Sequence, residues 1–180
     1  MKKGFSIAAP LLALLVLVTT FTSCKKVTEQ TYEFEMSELM FTTNPQNSTG
    51  PMVLVDTVVA AGLLQYMEDN GVSLKNVKSV KMKSLMLRTE PTFSPDANFN
   101  GFVKGEAYMK TPSLSERLFA TKASVPEGVK ELSFDSNGTE LKEYLMNNDV
   151  QIILRGENDQ NLPETTYLLD MTFEVTYDLI

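Results

Sequence analysis

Apolar and polar residues alternate with period two along much of this chain. The clearest run is Tyr167–Leu179, where Tyr167, Leu169, Met171, Phe173, Val175, Tyr177 and Leu179 interleave with mostly polar residues. One apolar and one polar face describe a half-buried antiparallel strand. Tyr32, Phe34 and Met36 alternate with Glu33, Glu35 and Ser37 in the same way. Val77–Thr89 is a third strand, and its phase shifts near Lys83-Ser84, which predicts a β-bulge. Shorter strands are expected over Phe102–Met109, Arg117–Thr121, Val129–Phe134 and Val150–Arg155, separated by Gly, Pro, Asn and Ser clusters.

Two segments break the alternation. Asp56 reads as the N-cap of a helix reaching Asn70 and closed by Gly71, with Val59, Leu63 and Met67 along one stripe. Thr139–Asn147 places Leu141, Tyr144 and Leu145 on one helical face. Residues 42–51 read as a loop, and Lys25–Gln30 as a short tether. The expected fold is mainly β: an antiparallel β-sandwich, Ig-like or jelly-roll-like, of about 7–8 strands with two short helices closing its ends. No internal repeat or second-domain boundary stands out.

Composition narrows the chemistry. The 180 residues include no His, no Trp and one Cys, with 16 Lys+Arg against 23 Asp+Glu for a net charge of −7. Without His there is no Ser-His-Asp triad, Cys-His pair or imidazole metal ligand. One Cys forms no internal disulfide. The acidic balance excludes nucleic acid as an expected partner and argues against electrostatic adhesion to anionic lipid.

The N-terminus supplies another means of attachment. Lys2 and Lys3 precede an apolar stretch, Ile7–Val18, which then gives way to Thr19-Thr20-Phe21-Thr22-Ser23-Cys24. That order is the plan of a secretory signal peptide, and the apolar run is shorter than the roughly 20 residues of a spanning helix. With Cys24 directly after it, the segment resembles a bacterial lipoprotein signal. In that family the Cys is diacylated and becomes the new N-terminus. Phe21 and Ser23 depart from the usual Leu and Gly/Ala, a relaxed form similar to that of Bacteroidota lipoproteins. The resemblance implies removal of residues 1–23, a lipidated Cys with tether over 24–30, and one domain over 31–180. Removing residues 1–23 takes two lysines and no acid, leaving 157 residues with a net charge of −9. Surface-exposed members of that group carry an acidic run after the Cys. Lys25-Lys26-Val27-Thr28 stands there instead, which by resemblance implies the periplasmic face of the outer membrane.

Several segments resemble functional motifs. Asp96-Ala97-Asn98-Phe99-Asn100-Gly101 matches the first half of a calcium loop, but the twelfth position is Ala107, with Glu106 one place early. A turn is the expected reading. Glu157–Asn161 is a second oxygen-rich loop, read as a hairpin connection. The acids of a glycosidase need a fixed separation and one raised pKa, and most carboxylates here alternate outward. Ser79, Ser84 and Ser133 lie near lysines without an S-x-x-K spacing. Met36, Met40, Met52, Met67, Met82, Met86, Met109, Met146 and Met171 read as adaptable core filling rather than a soft-metal site. Asn47-Ser48-Thr49 and Asn137-Gly138-Thr139 are sequons that matter only in a eukaryotic secretory path. Asp56-Thr57-Val58 resembles the O-glycosylation motif of Bacteroidota envelope proteins, in competition with its reading as a helix cap.

The stretches VKSVKMKSLMLRT, TELKEYLMNNDVQIILRG and LLDMTFEVTYDLI together resemble small β-sandwich lipoproteins of Bacteroidota with no assigned activity. That resemblance brings no catalytic residues. The expected function is a lipid-anchored, non-enzymatic binding or structural module of the cell envelope. Its expected attachments are the membrane, through Cys24, and an envelope protein or glycan; no cofactor or metal is expected. The alternative is a carrier of a hydrophobic ligand such as lipid, with the helices lining a cavity, and an envelope hydrolase ranks behind both.

Overall fold

The computed structural model describes residues 29–179, so the expected leader over residues 1–23 and Cys24 lie outside the described residues. Eight strands follow one another: β1 (Glu29–Thr43), β2 (Gly50–Ala60), β3 (Val77–Thr89), β4 (Phe102–Lys110), β5 (Arg117–Lys122), β6 (Glu131–Ser136), β7 (Asp149–Asn158) and β8 (Thr165–Asp178). Helix α1 (Leu63–Asp69) and a 3₁₀ turn (Leu74–Asn76) connect β2 to β3, and α2 (Lys142–Leu145) connects β6 to β7.

The strands order as β1-β8-β3-β6-β5-β4-β7-β2, all neighbours antiparallel. This is a sandwich of two four-stranded layers, β1-β8-β3-β6 and β2-β7-β4-β5, with the chain alternating between layers except at the β4–β5 hairpin. That path is the jelly roll. The layers join along one side, where Ala120 and Thr121 pair with Ser136 and Asp135. The other side is bounded by the edge strands β1 and β2.

The core lies between the layers because each strand turns alternate residues inward. Phe173 stands between Phe34 of β1 and Met82 of β3, and Met171 between Met36 and Leu85. From the second layer Met109, Ile152 and Leu154 are fully buried. The bulge expected near Lys83 is present as a register shift between Met82 and Ser84. It restores the inward phase, so that Val80 and Met82 before it and Leu85 and Leu87 after it all face the core.

Three expected boundaries are corrected. Asp56 caps no helix: residues 50–60 form β2, and α1 starts at Leu63 behind Gly62, whose φ of 70° reverses the chain. A register shift between Val53 and Val55 breaks the alternation of β2, so Met52, Leu54 and Val55 are buried together. The broken phase hid the strand, although Val and Thr are residues that favour one. Gly71, at φ 68°, follows α1 as expected for a helix C-terminus. Likewise β1 runs on from Met36 through a bulge at Ser37-Glu38 to Thr43, and Glu29 and Gln30 belong to it rather than to a tether. The loop expected over 42–51 shrinks to residues 44–49.

Both helices lie on the sheet. Leu63 and Met67 of α1 are fully buried, and Tyr66 stacks on Tyr32 of β1 with ring centroids 5.2 Å apart. Leu141 and Leu145 at α2 are also fully buried. A small cavity beside Leu54, Leu87 and Phe134 has a volume of about 10 Å³.

Candidate functional site

The strands run the length of the sandwich, so the loops collect at two ends. The connections β1–β2, β3–β4, β5–β6 and β7–β8 share one end. Asp96–Gly101 and Glu157–Asn161, read separately from sequence, meet there. The Asp159 N–H donates to the Gly101 carbonyl at 2.9 Å, and the Gln160 side chain lies over Gly101. A Cβ on Gly101 would stand 2.3 Å from Gln160 Cγ, and its φ of +86° independently favours glycine.

Hydrogen bonds tie all four loops into one body. The side chain of Asn158, which is only 3% exposed, donates from Nδ2 to the carbonyls of Ser48 and Gln160, both at 2.8 Å. Gln46 pairs with Leu162 through two backbone bonds, and the Phe99 N–H donates to Val129 O. Lys130 Nζ reaches Pro95 O at 2.7 Å. Beneath them Phe99 stacks on Tyr167, with centroids 5.5 Å apart. Burial drives the Tyr167 phenol up to about 12, against which a hydrogen bond with Thr165 acts weakly.

Two clefts open in this end, of about 470 and 230 Å³, and both are lined by Asn100 and Gln160. The Asn98 carbonyl oxygen accepts from Asn100 N–H, and that of Asn100 accepts from Gly128 N–H. Oxygens that a calcium loop would aim at an ion here hold backbone instead. Among the described residues no cluster of three or more acidic or Cys ligands is placed to hold a metal.

A third cleft, of about 450 Å³, lies on the outer surface of the β2-β7-β4 layer. Register sets its lining: Lys104 stands opposite Glu157, and Glu106 opposite Arg155, with Pro51 and Val53 of β2 along the rim. Lys104 pairs with Glu157 at 2.8 Å, and Arg155 pairs with Glu116 at 2.8 Å while lying 4.7 Å above the Tyr108 ring. Tyr108 donates to Glu106 at 2.7 Å, and this bond, with burial, holds its phenol above the ordinary value despite Arg155. Sequence reading missed this cleft because it depends on β2 and on which strand lies beside it.

Gly105 and Gly156 pair directly opposite one another beside this cleft, on the inner face of the layer. A Cβ on Gly105 would meet the Phe134 ring at 2.8 Å, so the glycine serves packing.

The remaining sequence candidates disperse. Ser79 donates to Glu140 at 2.6 Å, and Glu140 also accepts the N–H groups of Val80 and Lys142. Burial would raise that carboxyl, but these hydrogen bonds and Lys81 outweigh it and leave its pKa lowered. The pair fastens the segment before α2 to β3 at an exposed position. Ser84 and Ser133 lie in strands opposite Thr172 and Met86. Met36, Met52, Met67, Met82, Met109 and Met171 are core residues. Thr57 is exposed on the edge strand β2 rather than at a helix cap.

The edges themselves discourage strand addition. Strand β1 carries Glu29, Glu33 and Glu35 and a bulge with Glu38 at φ 58°; β2 carries Pro51, a bulge and Asp56. These are devices that keep an edge from pairing with another chain.

No family model and no curated protein matches the chain. Among solved structures, one of infectious bursal disease virus strain Gt is similar with a TM-score of 0.40 and 10% identity, over 84% of this chain and 34% of that one. The VP2 subviral particle of the same virus is similar with a TM-score of 0.40 and 9% identity, over 84% and 34%. This chain thus spans about a third of each. At those scores the likeness carries no argument about activity or partners. Among the described residues no helix is long and apolar enough to cross a membrane.

Proposed function

We propose that this protein is a lipid-anchored, non-enzymatic binding module of the bacterial cell envelope, held to the outer membrane through acylated Cys24 and facing the periplasm. The observation that carries the reading is the position of Cys24. The only cysteine of the chain stands directly behind a basic and apolar leader and five residues before β1. Two or more acyl chains hold a protein on a bilayer, since each buried CH₂ contributes about 0.8 kcal/mol. The acidic domain needs such an anchor, because its charge gives it no hold on anionic lipid.

The filled interior supports surface binding over the carrying of lipid. A ligand cavity usually occupies about 300–1,000 Å³, whereas the cavity beside Leu54, Leu87 and Phe134 is about 10 Å³, and both helices bury their apolar residues in the core. The accessible space is outside, in the clefts of the loop end and of the β2-β7-β4 surface. A glycan or an envelope protein is the partner class that this reading assigns.

The test is acylation in a bacterial host with the lipoprotein pathway. Wild type should take up a clickable fatty acid, and its intact mass should show Cys24 as the first residue, heavier by a diacylglyceryl group. Cys24→Ser should take up none and remain as precursor or as soluble product. An unmodified wild-type N-terminus beyond Cys24, with the protein free in the periplasm or medium, rejects the reading.

A further inference from the structure

We infer that the end of the sandwich opposite the first residue of β1 is the recognition face, held away from the membrane, and that its amide-lined cleft takes a neutral, hydroxyl-rich ligand, the chemistry of a glycan. The inference rests on the anchor at Cys24 proposed above.

Chain geometry fixes the orientation. From Cys24 to Glu29 is five residues, a reach of at most about 18 Å however they are arranged. Strand β1 then runs 15 residues from Glu29 to Thr43, about 45 Å at a rise near 3.3 Å per residue. The start of β1 is therefore kept near the bilayer, together with the end of β8, the 3₁₀ turn and the start of β3. The loops 44–49, 90–101, 123–130 and 159–164 stand at the far end. The sheet surface beside β1 sets Glu33, Glu35 and Glu174 against Lys81 and Lys83, so it carries no positive excess that would draw the domain flat onto anionic lipid.

The lining of the far end selects the ligand. No lysine or arginine lines either of its two clefts among the described residues, while Asp96 and Asp159 do. Phosphates and acidic polymers are therefore repelled. Asn98 and Asn100 spend their carbonyl oxygens on backbone N–H groups, and no described residue accepts from their Nδ2 atoms. With Gln160 and Asn161 they line the clefts with amide donors beside the carboxylates of Asp96 and Asp159. A hydroxyl both donates and accepts, so adjacent sugar hydroxyls satisfy both kinds of group at once. The loops need little rearrangement to bind, because Asn158, Gly101 and the stacked Phe99–Tyr167 floor already hold them together.

The test uses the full-length lipidated protein in phosphatidylethanolamine–phosphatidylglycerol vesicles. Acylation consumes the native thiol, so a fluorophore can be placed singly through Lys75→Cys, beside β3's start, or Ser48→Cys, in the far loops. With an acceptor dye on the lipid headgroups, Lys75→Cys should be quenched several-fold more than Ser48→Cys. Equal or reversed quenching overturns the orientation. Failure of the anchor itself looks different: the protein stays in the supernatant and neither site is quenched. Chitotetraose and maltotetraose are then added, with saturation transfer read by NMR. At least one should receive transfer, and Gln160→Ala with Asn161→Ala should weaken binding about tenfold or more at unchanged melting temperature, while Lys110→Ala should not. No transfer from either sugar, or binding of tetralysine instead, overturns the glycan assignment.

Discussion

At the scale of a single residue, Tyr167 shows how burial becomes a pH dependence. Its phenol is 2% exposed and sits against Phe99 and Phe41. Burial moves its pKa from 10.0 to about 12, because the phenolate loses its hydration in that setting. The unfolded chain releases this proton near pH 10 and the folded chain near 12. Stability from this group is therefore complete below pH 10, declines between 10 and 12, and is gone above. Two pKa units correspond to roughly 2–3 kcal/mol. Urea melts of wild type and Tyr167→Phe should diverge by about that amount on going from pH 9 to pH 12, with the variant losing less. Parallel losses in the two proteins would show that Tyr167 titrates normally. Tyr32, raised to about 12 chiefly by burial with Tyr66 and Tyr177 adding to it, is half-buried and shifts in the same direction. None of this is legible locally. Tyr167 belongs to an alternating run like Tyr177, yet only Tyr167 ends up beneath the loop crown.

At the scale of an element, β8 and β2 are the instructive pair. Strand β8 lies between β1 and β3, so one face meets the core along its whole length while the other carries Thr172 and Glu174. Its alternation is unbroken, which is why the sequence predicts it nearly to its ends. Phe173 is fully buried between Phe34 and Met82. Phe173→Asp removes the ring and buries a charge without a partner, at an expected cost of about 4 kcal/mol or more. Thr172→Asp, next in the chain, faces outward opposite Glu35 and Ser84, and mild repulsion from Glu35 should keep its cost below about 1 kcal/mol. Thermal melts that rank the two variants the other way would shift the register of β8 by one residue. Strand β2 is an edge, paired only with β7 and kinked by its bulge. Its outward valines, with Val58 63% exposed, break the apolar-in rule, and Val59, Leu63 and Met67 imitate a helical stripe across the strand, the turn at Gly62 and α1.

At the scale of the whole molecule, the two layers share one core. Buried residues from all eight strands and both helices form a single cluster, and the β5–β6 pairing joins the layers along one side. Neither layer can lose its partner without exposing its own apolar face. Calorimetry should therefore show one transition with calorimetric and van't Hoff enthalpies in agreement; two resolved transitions would mean that the layers melt separately. The sequence alone determined what depends on near neighbours. Period two identifies a half-buried strand wherever the phase holds, as in β3 and β8, and it located the bulge at Lys83. The same local reading is the basis for proposing a leader over residues 1–23 in front of Cys24. Tertiary structure decided what depends on partners distant in the chain. It gave β2 its place beside β7, and it set Lys104 opposite Glu157. It also made the neighbouring ends of strands carry Asp96–Gly101 and Glu157–Asn161 to one face. Alternation states which side of a strand is apolar, because side chains alternate within one chain segment. It does not state which strand lies alongside, because that is settled by packing both layers at once around a common core.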